Sequence, residues 1–555
     1  MRKLSLALAV LVVALPLVAQ MDHGAGKQPA AQPAAATLAP GFGRVHHPVT
    51  TSNPEAQKFF DQGFNLIYGF NHAEAAKAFA QAAKLDPNLA MAHWGIAYSV
   101  GPNYNMPVDW ERELQAYDHI QQALKLAPKA SKSEQAYIAA LAKRYTNDKK
   151  ADLNALDLAF ANAMRDLKDD YPDDLDAATL FAESMMQLRP WKLWTPDGQP
   201  APGTEEIVAT LEGVLRRDPN HIGAAHYYIH AVEASESPER ALNSADRLGA
   251  LAPQSGHLVH MPAHIYIRTG DFDNAAVVNE NAAKADEAYI QRGAQPGLYT
   301  LMYYSHNLHF LAAAYGADGR FAAALRSTGR LEKNVDAHVE AVPMLEGFMP
   351  TRYFVLARFH RWDDILKLPA PAASRHFQTA MYHYARGVAA AAKEEIAAAE
   401  GEHAALVEHA KAIPPDMMVS TVGNTAVQAA KVADAVLAAR IAEAKAGPTR
   451  VNPAVIEAWK KALVEYDKVA YAEPPDWYYS VRESLGAALL RAHDFQQAEQ
   501  VFRDDLAKNR RSGRSLYGLA LALKGQGKDY DSSFVMNEYK TAWQKAEKPL
   551  QEGDL

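Results

Sequence analysis

Residues 53–87 read NPEAQKFFDQGFNLIYGFNHAEAAKAFAQAAKLDP, and this stretch decides the fold. Asn53 is suited to cap a helix, Pro54 to begin it, and Glu55 to lie in its first turn. Small and large residues then alternate at spacings that predict two closely packed helices, the second ended by a proline. Counted from Ala56 as position 1, positions 4, 8, 11, 20, 24, 27 and 32 are Phe59, Gly63, Leu66, Ala75, Phe79, Ala82 and Pro87.

The same spacing returns along the chain. Pro219 and Pro253 are 34 residues apart, as are Ala241 and Ala275. Further units begin at or near Ile222, Gly256, Ser305, Gly486 and Leu516. The recurring pattern resembles the tetratricopeptide repeat (TPR) family. The resemblance implies an all-α solenoid, a right-handed superhelix of antiparallel hairpins whose first helices line a concave groove.

A chain of 555 residues is too long for one hydrophobic core. Its abundant alanine and its few alternating Val/Ile/Thr runs favour helix throughout. Two insertions, at 101–107 and 189–198, interrupt the repeats, and the second carries two tryptophans that either cover the groove or pack on helix ends. We predict an N-terminal and central TPR array with a histidine-lined groove over 51–335, degenerate helical repeats over 336–450, and TPR-like repeats over 451–545.

The N terminus has the pattern of a secretory signal. Arg2 and Lys3 precede an apolar stretch that ends at Ala19, which predicts a signal peptide over 1–19, with an uncleaved anchor as the alternative. Residues 20–50 are rich in Ala, Pro, Gly and Gln and predict a disordered linker. We therefore expect a periplasmic or secreted protein without a transmembrane segment once the signal is removed.

Composition excludes several classes of site. The chain has no cysteine, which rules out disulfides, thiolate metal sites and cysteine nucleophiles. Its formal net charge is -8, and no basic stripe with interleaved aromatic residues is found, so we expect no nucleic-acid partner. The chain also carries no P-loop, dinucleotide fingerprint, GxSxG or HExxH motif.

Histidines recur at groove positions of the central repeats. In TPR proteins positions 2, 5, 9 and 12 commonly face the groove, and this spacing places them on one helix face. The repeat frame rests on apolar and small residues only. The positions of the histidines within it are therefore independent of how the frame is defined. All seven fall at position 2, 5 or 9: His226, His230, His257, His260, His264, His306 and His309.

Such a cluster favours a metal site. His226/His230 and His260/His264 are i, i+4 pairs, a spacing that lets two imidazoles share one ion. Neighbouring first helices lie about 8–10 Å apart, so inward imidazoles can hold an ion between them. Without a metal, so many imidazoles would repel when charged or lack partners when neutral and buried. Imidazole and carboxylate ligands favour a transition metal, namely Zn, Cu, Fe or Ni, over Ca or Mg.

Carboxylates and tyrosines complete the predicted site. Glu233 takes position 12 of its repeat, and Glu183 takes position 9 one helix earlier, so either is a candidate metal ligand. Tyr227, Tyr266 and Tyr304 are candidates to hydrogen-bond the metal-binding side chains. We expect ring nitrogens of the histidines to approach one another within about 3–5 Å.

The segment 260–266, HMPAHIY, is similar to a signature, HMPxHIY, of bacterial exported TPR proteins. The upstream HYYIH at 226–230 and the downstream NLH at 307–309 belong to the same resemblance. It implies the fold and the place of the site, and it implies no reaction. Off the groove face, Met261 is interpreted as packing and Pro262 as a bend in its helix.

Two classes of function remain open. One is an exported protein that binds a transition metal in the groove, with or without a metal-dependent enzymatic activity. The other is a TPR scaffold that binds a peptide or protein partner in the groove without metal. A scaffold predicts Asn, Lys and Arg at groove positions, whereas the central repeats carry histidines, which favours the metal.

Overall fold

The computed structural model describes residues 36–195, 198–294, 297–420, 423–447 and 452–555. The predicted signal peptide, and the linker up to residue 35, lie outside these residues. The described chain is helical from end to end, and apart from three isolated bridges it contains no strand. The predicted all-α TPR-type solenoid is confirmed.

The helices follow one another as hairpins, and each packs on the next. In the N-terminal part they are α1 (Pro54–Tyr68), α2 (His72–Leu85), α3 (Ala90–Val100), α4 (Trp110–Leu126), α5 (Lys132–Leu141), α6 (Leu153–Asp170), α7 (Leu175–Gln187) and α8 (Thr204–Arg217). In the central part they are α9 (Ile222–Val232), α10 (Leu242–Leu251), α11 (Gly256–His260), α12 (Pro262–Thr269), α13 (Phe272–Gln291), α14 (Tyr304–Ala317), α15 (Phe321–Val335), α16 (Thr351–Arg358) and α17 (Trp362–Leu366). The last group is α18 (His376–Ala392), α19 (Ile396–Lys411), α20 (Ala426–Ala446), α21 (Pro453–Tyr466), α22 (Val481–Arg491), α23 (Phe495–Lys508), α24 (Gly513–Gly525) and α25 (Asp529–Ala542).

Local sequence explains where these helices begin. The Asn53 side chain accepts hydrogen bonds from the backbone N–H groups of Glu55 and Ala56, as the cap predicts. Asp271 caps α13 in the same way. Pro262 separates α11 from α12, because it has no N–H for the helical ladder, and the first helix of this repeat is therefore bent.

Near both ends of the array, a phenylalanine ring packs between two glycines of the neighbouring helices. The Phe79 ring of α2 fits between Gly63 of α1 and Gly95 of α3, where an added Cβ would lie 2.8 and 2.5 Å from the ring. Phe502 of α23 lies in the same way between two glycines of α22 and α24. Phe79 is fully buried, so glycine at these positions is what lets the aromatic ring fill the space between three helices.

Part of the predicted linker forms polar contacts with the helical array. Val45 N–H donates to Asn65 Oδ1 of α1 at 3.0 Å, and the His47 ring lies 2.8 Å from a carboxylate oxygen of Asp176 on α7. His47 is only 6% exposed. The prediction of disorder over 20–50 was therefore wrong for residues 41–50, because composition does not reveal these specific polar contacts with distant helices.

The buried apolar side chains form two large clusters. One runs from Ala56 to Val355 and the other from Tyr353 to the C terminus. The division lies at α16, within the region predicted to hold degenerate repeats. No helix in the described ranges is both long and apolar enough to cross a membrane.

Candidate metal centre

Three neighbouring hairpins supply the seven histidines of the central repeats. His226 and His230 lie on α9, His257 and His260 on α11, His264 on α12, and His306 and His309 on α14. Glycine brings these helices close to their neighbours. A Cβ on Gly223 of α9 would lie 2.3 Å from the Tyr68 ring, and one on Gly256 would lie 1.9 Å from Asp286 of α13.

The first histidine group consists of His226, His230 and His257. One ring nitrogen from each lies within 4.8 Å of those of the other two. Nε2 of His226 is 3.1 Å from Nε2 of His257. All three side chains are buried, at most 3% exposed. Phe70 packs against the three rings, with centroids 4.5 to 6.1 Å away.

The second histidine group consists of His260, His264 and His306, and their ring nitrogens meet the same distance limit. Nε2 of His260 lies 2.9 Å from Nε2 of His264. The centroid of the His306 ring is 4.7 Å from that of His260. His260 and His264 are buried, whereas His306 is partly exposed, so this group has one side closer to solvent.

The two groups are adjacent and share one carboxylate. Nδ1 of His230, in the first group, lies 2.8 Å from Oε1 of Glu233. Nδ1 of His264, in the second group, contacts Oε2 of the same residue. Burial raises the pKa of Glu233, but the two histidines outweigh this effect and bring the pKa to about 2. An ionised Glu233 can only accept, so it holds the proton of His230 on Nδ1, whereas its close contact with Nδ1 of His264 does not have hydrogen-bond geometry.

Two further acceptors orient the remaining rings. Nδ1 of His226 donates to the backbone carbonyl of Tyr68 at 2.7 Å. Nδ1 of His260 donates to Oδ1 of Asn279 at 2.7 Å, while the Asn279 amide nitrogen donates to Ala275 O. Three imidazoles, those of His226, His230 and His260, therefore carry their proton on Nδ1 and leave the Nε2 lone pair free. This is the arrangement that partners of metal-bound histidines commonly enforce.

The histidine groups contain buried ring nitrogens without a partner. Nε2 of His230, a lone pair, and Nδ1 of His264 are both buried without a hydrogen-bond partner. Since His260 is protonated at Nδ1, its Nε2 lone pair faces Nε2 of His264 at 2.9 Å. Buried acceptors without a donor are costly. A cation bound at Nε2 of His230 would remove that penalty, and one bound between His260 and His264 would take two ring nitrogens that already lie close together.

Burial keeps these imidazoles neutral. It lowers the pKa of four of them well below the usual 6.5, with the neighbouring imidazoles adding to the effect: His226, His257, His260 and His306. Burial also lowers the pKa of His230, although Glu233 opposes this shift. Metal binding requires neutral imidazole, so these five histidines need no deprotonation near pH 7.

We expect the metal-free protein to lose stability as the pH falls from about 6.5 to 5. The pKa values of these histidines are lower in the folded state than in the unfolded chain, so the unfolded chain takes up protons first. His47, whose pKa is raised because Asp176 outweighs burial, acts in the opposite direction. So do four carboxyls whose pKa burial raises to about 6 or 7, namely Asp286, Asp318, Glu473 and Asp476. The histidines with a lowered pKa, which also include His72, His309 and His360, outnumber them. Urea unfolding at a series of pH values measures the effect, and a free energy of unfolding that is flat or rises over this range would contradict it.

Not every predicted residue lies at the two groups. The Glu183 carboxylate accepts from Tyr98 at 2.6 Å and from Gln187, and the structure places it with neither group. His309 also lies outside both groups, its ring against Phe348, and burial lowers its pKa to about 4.

Of the three predicted tyrosines, one packs against the histidines and two contact other residues. The Tyr227 ring packs against the His226 ring, with centroids 5.2 Å apart. Tyr266 instead donates to Asp246 at 2.7 Å, and Tyr304 to Glu287 at 2.8 Å. Both hydroxyls are thus directed at carboxylates on the second helix of the preceding hairpin, α10 and α13 respectively, which corrects their assignment as partners of the metal-binding side chains.

Several important neighbours were missed from the sequence. Asn279 carried a signal, because it occupies position 24 of its repeat, where the first repeat has the core residue Phe79. A polar residue there needs a buried partner, which is His260. Tyr104, from the first insertion, packs on His230 with centroids 5.3 Å apart, and no periodic signal marks it or Phe70. Trp191, one of the two insertion tryptophans for which a place over the groove was one alternative, packs on the same ring with centroids 5.2 Å apart.

A third cluster combines His47 with Asp174 and Asp176. Its members already have partners. Asp176 contacts the His47 ring at 2.8 Å and accepts from the Tyr68 hydroxyl at 2.7 Å. Asp174 accepts from Tyr137 at 2.9 Å. These hydrogen bonds account for the cluster without an ion.

Comparison with known proteins adds little. No protein-family model and no curated protein matches the chain. Among solved structures, the human IFIT1 dimer with m7Gppp-AAAA matches at 11% identity and a TM-score of 0.33, covering 90% of this chain and 92% of that one. The same dimer with PPP-AAAA matches at 12% and 0.33, covering 88% and 90%.

The P58(IPK) TPR domain matches at 12% identity and a TM-score of 0.22, covering 85% of this chain and 98% of that domain. Likenesses this weak carry nothing about binding or activity. By its own helices and repeats, the chain resembles TPR proteins and is an all-α TPR-type solenoid, and its central hairpins bring six histidines together in two groups of three.

Proposed function

We propose that this protein binds two transition-metal ions, one in each histidine group. The main support is the pair of Nε2 atoms of His260 and His264, which face each other at 2.9 Å while Nδ1 of His260 is hydrogen-bonded to Asn279. Ligands of one tetrahedral ion at about 2.0–2.1 Å lie about 3.3 Å from each other, so only small adjustments of the rings are needed.

The ligand chemistry limits the choice of metal. Each group offers three neutral imidazoles and no thiolate, a set that suits Cu, Zn or Fe. Glu233 would act through His230 and His264, holding both rings in position instead of binding the ion itself. The first group is closed by Phe70, whereas the second is the more accessible because His306 is partly exposed.

A peptide in the groove is the weaker alternative at these positions. The five histidines on α9, α11 and α12 are 0 to 3% exposed. A peptide could contact them only after the covering residues had moved. A bound ion needs no such movement, and it also satisfies the orphaned Nε2 of His230.

Metal analysis of protein purified without a histidine tag tests the proposal. We expect two equivalents of transition metal per chain, about one after His264→Ala and about one after His226→Ala. His383→Ala is the matched control, because that ring lies on α18 and contacts Glu402 at 2.6 Å. Failure of the wild type to retain stoichiometric Cu, Zn or Fe after reconstitution would refute the proposal. Sequencing the N terminus of the native protein tests the proposed export, which requires loss of residues 1–19.

A further inference from the structure

A cavity of about 160 Å³ lies between α12, α14, α16 and the segment 467–480 that joins α21 to α22. We call it the aromatic cavity, and Arg268, Gly316, Phe354, Trp477 and Tyr478 are among the residues that line it. The exposed Lys508 is also part of its lining, so the cavity reaches the surface on that side.

The walls are flat and apolar. The Phe354 and Tyr478 rings stack 4.6 Å apart at an angle of 10°, and the Trp477 ring lies 5.6 Å from Phe354. Opposite small residues of α14 leave room, since a Cβ on Gly316 would meet nothing within 4 Å. An apolar cavity of about 150 Å³ is large enough to hold benzene. Shape and size therefore suit a single planar ring.

The charged groups of the cavity are largely satisfied by the protein. Arg358 forms a two-pronged ion pair with Glu483. The Arg268 guanidinium donates to three backbone carbonyls, at 3.0, 3.2 and 3.2 Å. Neither arginine retains the free fork that would bind a carboxylate or phosphate ligand. An anionic ligand is thus not favoured.

Three buried polar atoms in the lining residues have no hydrogen-bond partner of good geometry: Nε1 of Trp477, Oε2 of Glu473 and Oγ of Ser480. The Glu473 carboxyl also lies near the Tyr471 hydroxyl, which lowers its pKa. Trp477 Nε1 can only donate, and an ionised Glu473 can only accept. Trp477 is 1% exposed and Glu473 is 9% exposed. Buried groups of this kind are normally hydrogen-bonded, so they point to a ligand. A hydroxyl group matches them, because it accepts from one atom and donates to another.

We propose that the aromatic cavity binds a small phenol, a single aromatic ring that carries a hydroxyl group. The ring packs between Phe354, Tyr478 and the small residues of α14, and the hydroxyl lies between Trp477 Nε1 and Glu473 Oε2. Burial raises the pKa of Glu473 to about 7, although Arg268 opposes the shift, so this carboxyl also tolerates a neutral partner. The site lies beside the histidine groups, since Arg268, which lines it, donates to the backbone carbonyl of Glu233, but its occupation does not depend on metal.

Calorimetric titration of the metal-free full-length protein tests this proposal with four probes of similar size. Phenol should bind at one equivalent and at least tenfold more tightly than toluene, benzylamine or benzoate. Equal binding of toluene would show that the hydroxyl is not recognised. Preference for benzylamine or benzoate would show a charged-ligand site, and either preference, or no binding of phenol, overturns the proposal.

Two variants locate the site. Ala313→Phe places a ring in the cavity from α14 and should abolish phenol binding, while Ala322→Phe, at an exposed position of α15, should leave it unchanged. Trp477→Phe should weaken phenol at least tenfold and leave toluene unaffected. Circular dichroism shows whether each variant is folded. Unchanged phenol affinity in a folded Ala313→Phe protein would place the binding elsewhere and overturn the assignment.

Discussion

Removing the metal from the loaded protein should lower its free energy of unfolding by about 5 kcal/mol. A ligand present at 100 times its dissociation constant stabilises the native state by about 2.7 kcal/mol per site, provided that the unfolded chain does not bind it. The first histidine group joins α9 to α11, and the second joins α11 and α12 to α14. Two ions bound in this way would join three consecutive hairpins, and their loss would destabilise the centre of the solenoid.

Denaturant unfolding with and without a strong chelator measures this effect. The double variant His226→Ala/His264→Ala provides the control, because a chelator should not destabilise it further. Helix content by circular dichroism should be the same in all samples, since the hairpins are packed by apolar residues elsewhere. A loaded wild-type protein whose unfolding is insensitive to chelator would show that the ions, if bound, do not join the repeats.

Glu233→Leu should weaken both metal sites at once. Residues that hydrogen-bond to metal ligands typically change metal affinity by about 10- to 100-fold. Glu233 contacts one ring of each group, so we expect both dissociation constants to rise by that factor. The metal-free variant should also lose about 1–3 kcal/mol of stability, because the buried N–H of His230 is left without an acceptor.

Glu183→Leu is a matched control for this experiment. Glu183 is equally buried, at 1% exposed, and it accepts from two side chains, Tyr98 and Gln187. This control should therefore lose stability but keep both metal affinities. Competition with a chromophoric chelator gives the affinities. If Glu233→Leu and Glu183→Leu prove equal in metal binding, Glu233 has no special role at the centre.

The repeat architecture could be predicted because it depends on local spacing. Residues such as Gly63 and Phe79 pack against the adjacent helix, and each hairpin repeats the same short-range rule. The frame that followed from them also placed the groove histidines on the inner helices. Their role as metal ligands stays a prediction, since it depends on an ion that the sequence only suggests.

The surroundings of the histidines could be predicted much less well. The carbonyl that orients His226 belongs to Tyr68, 158 residues earlier in the chain. Residues 467–480, part of the lining of the aromatic cavity, come from a segment with no repeat pattern. Contacts of this kind depend on how far the superhelix turns before distant elements meet, and local spacing does not determine that.

Glu183 and Tyr266 show the limit of the repeat frame. Both occupy helices that the frame places correctly, and both side chains are directed to other partners. The repeat frame predicts on which face of a helix a side chain lies. Which neighbour the side chain contacts on that face depends on the carboxylates and hydroxyls nearby. Asn279 is the instructive opposite case, because a polar residue at a core position did mark a contact with the site.

The contact of α1 with α9 has a consequence for how this protein folds. In an open solenoid each repeat touches only its neighbours, so the ends can fray one unit at a time. Here α1 meets α9, through His226 and Tyr68, and the segment before α1 reaches α7 through His47 and Asp176. The first helix of the array therefore contacts the ninth directly. We expect these nine helices to unfold together instead of one repeat at a time, because the centre of the molecule is complete only after the earliest and the later helices have come together.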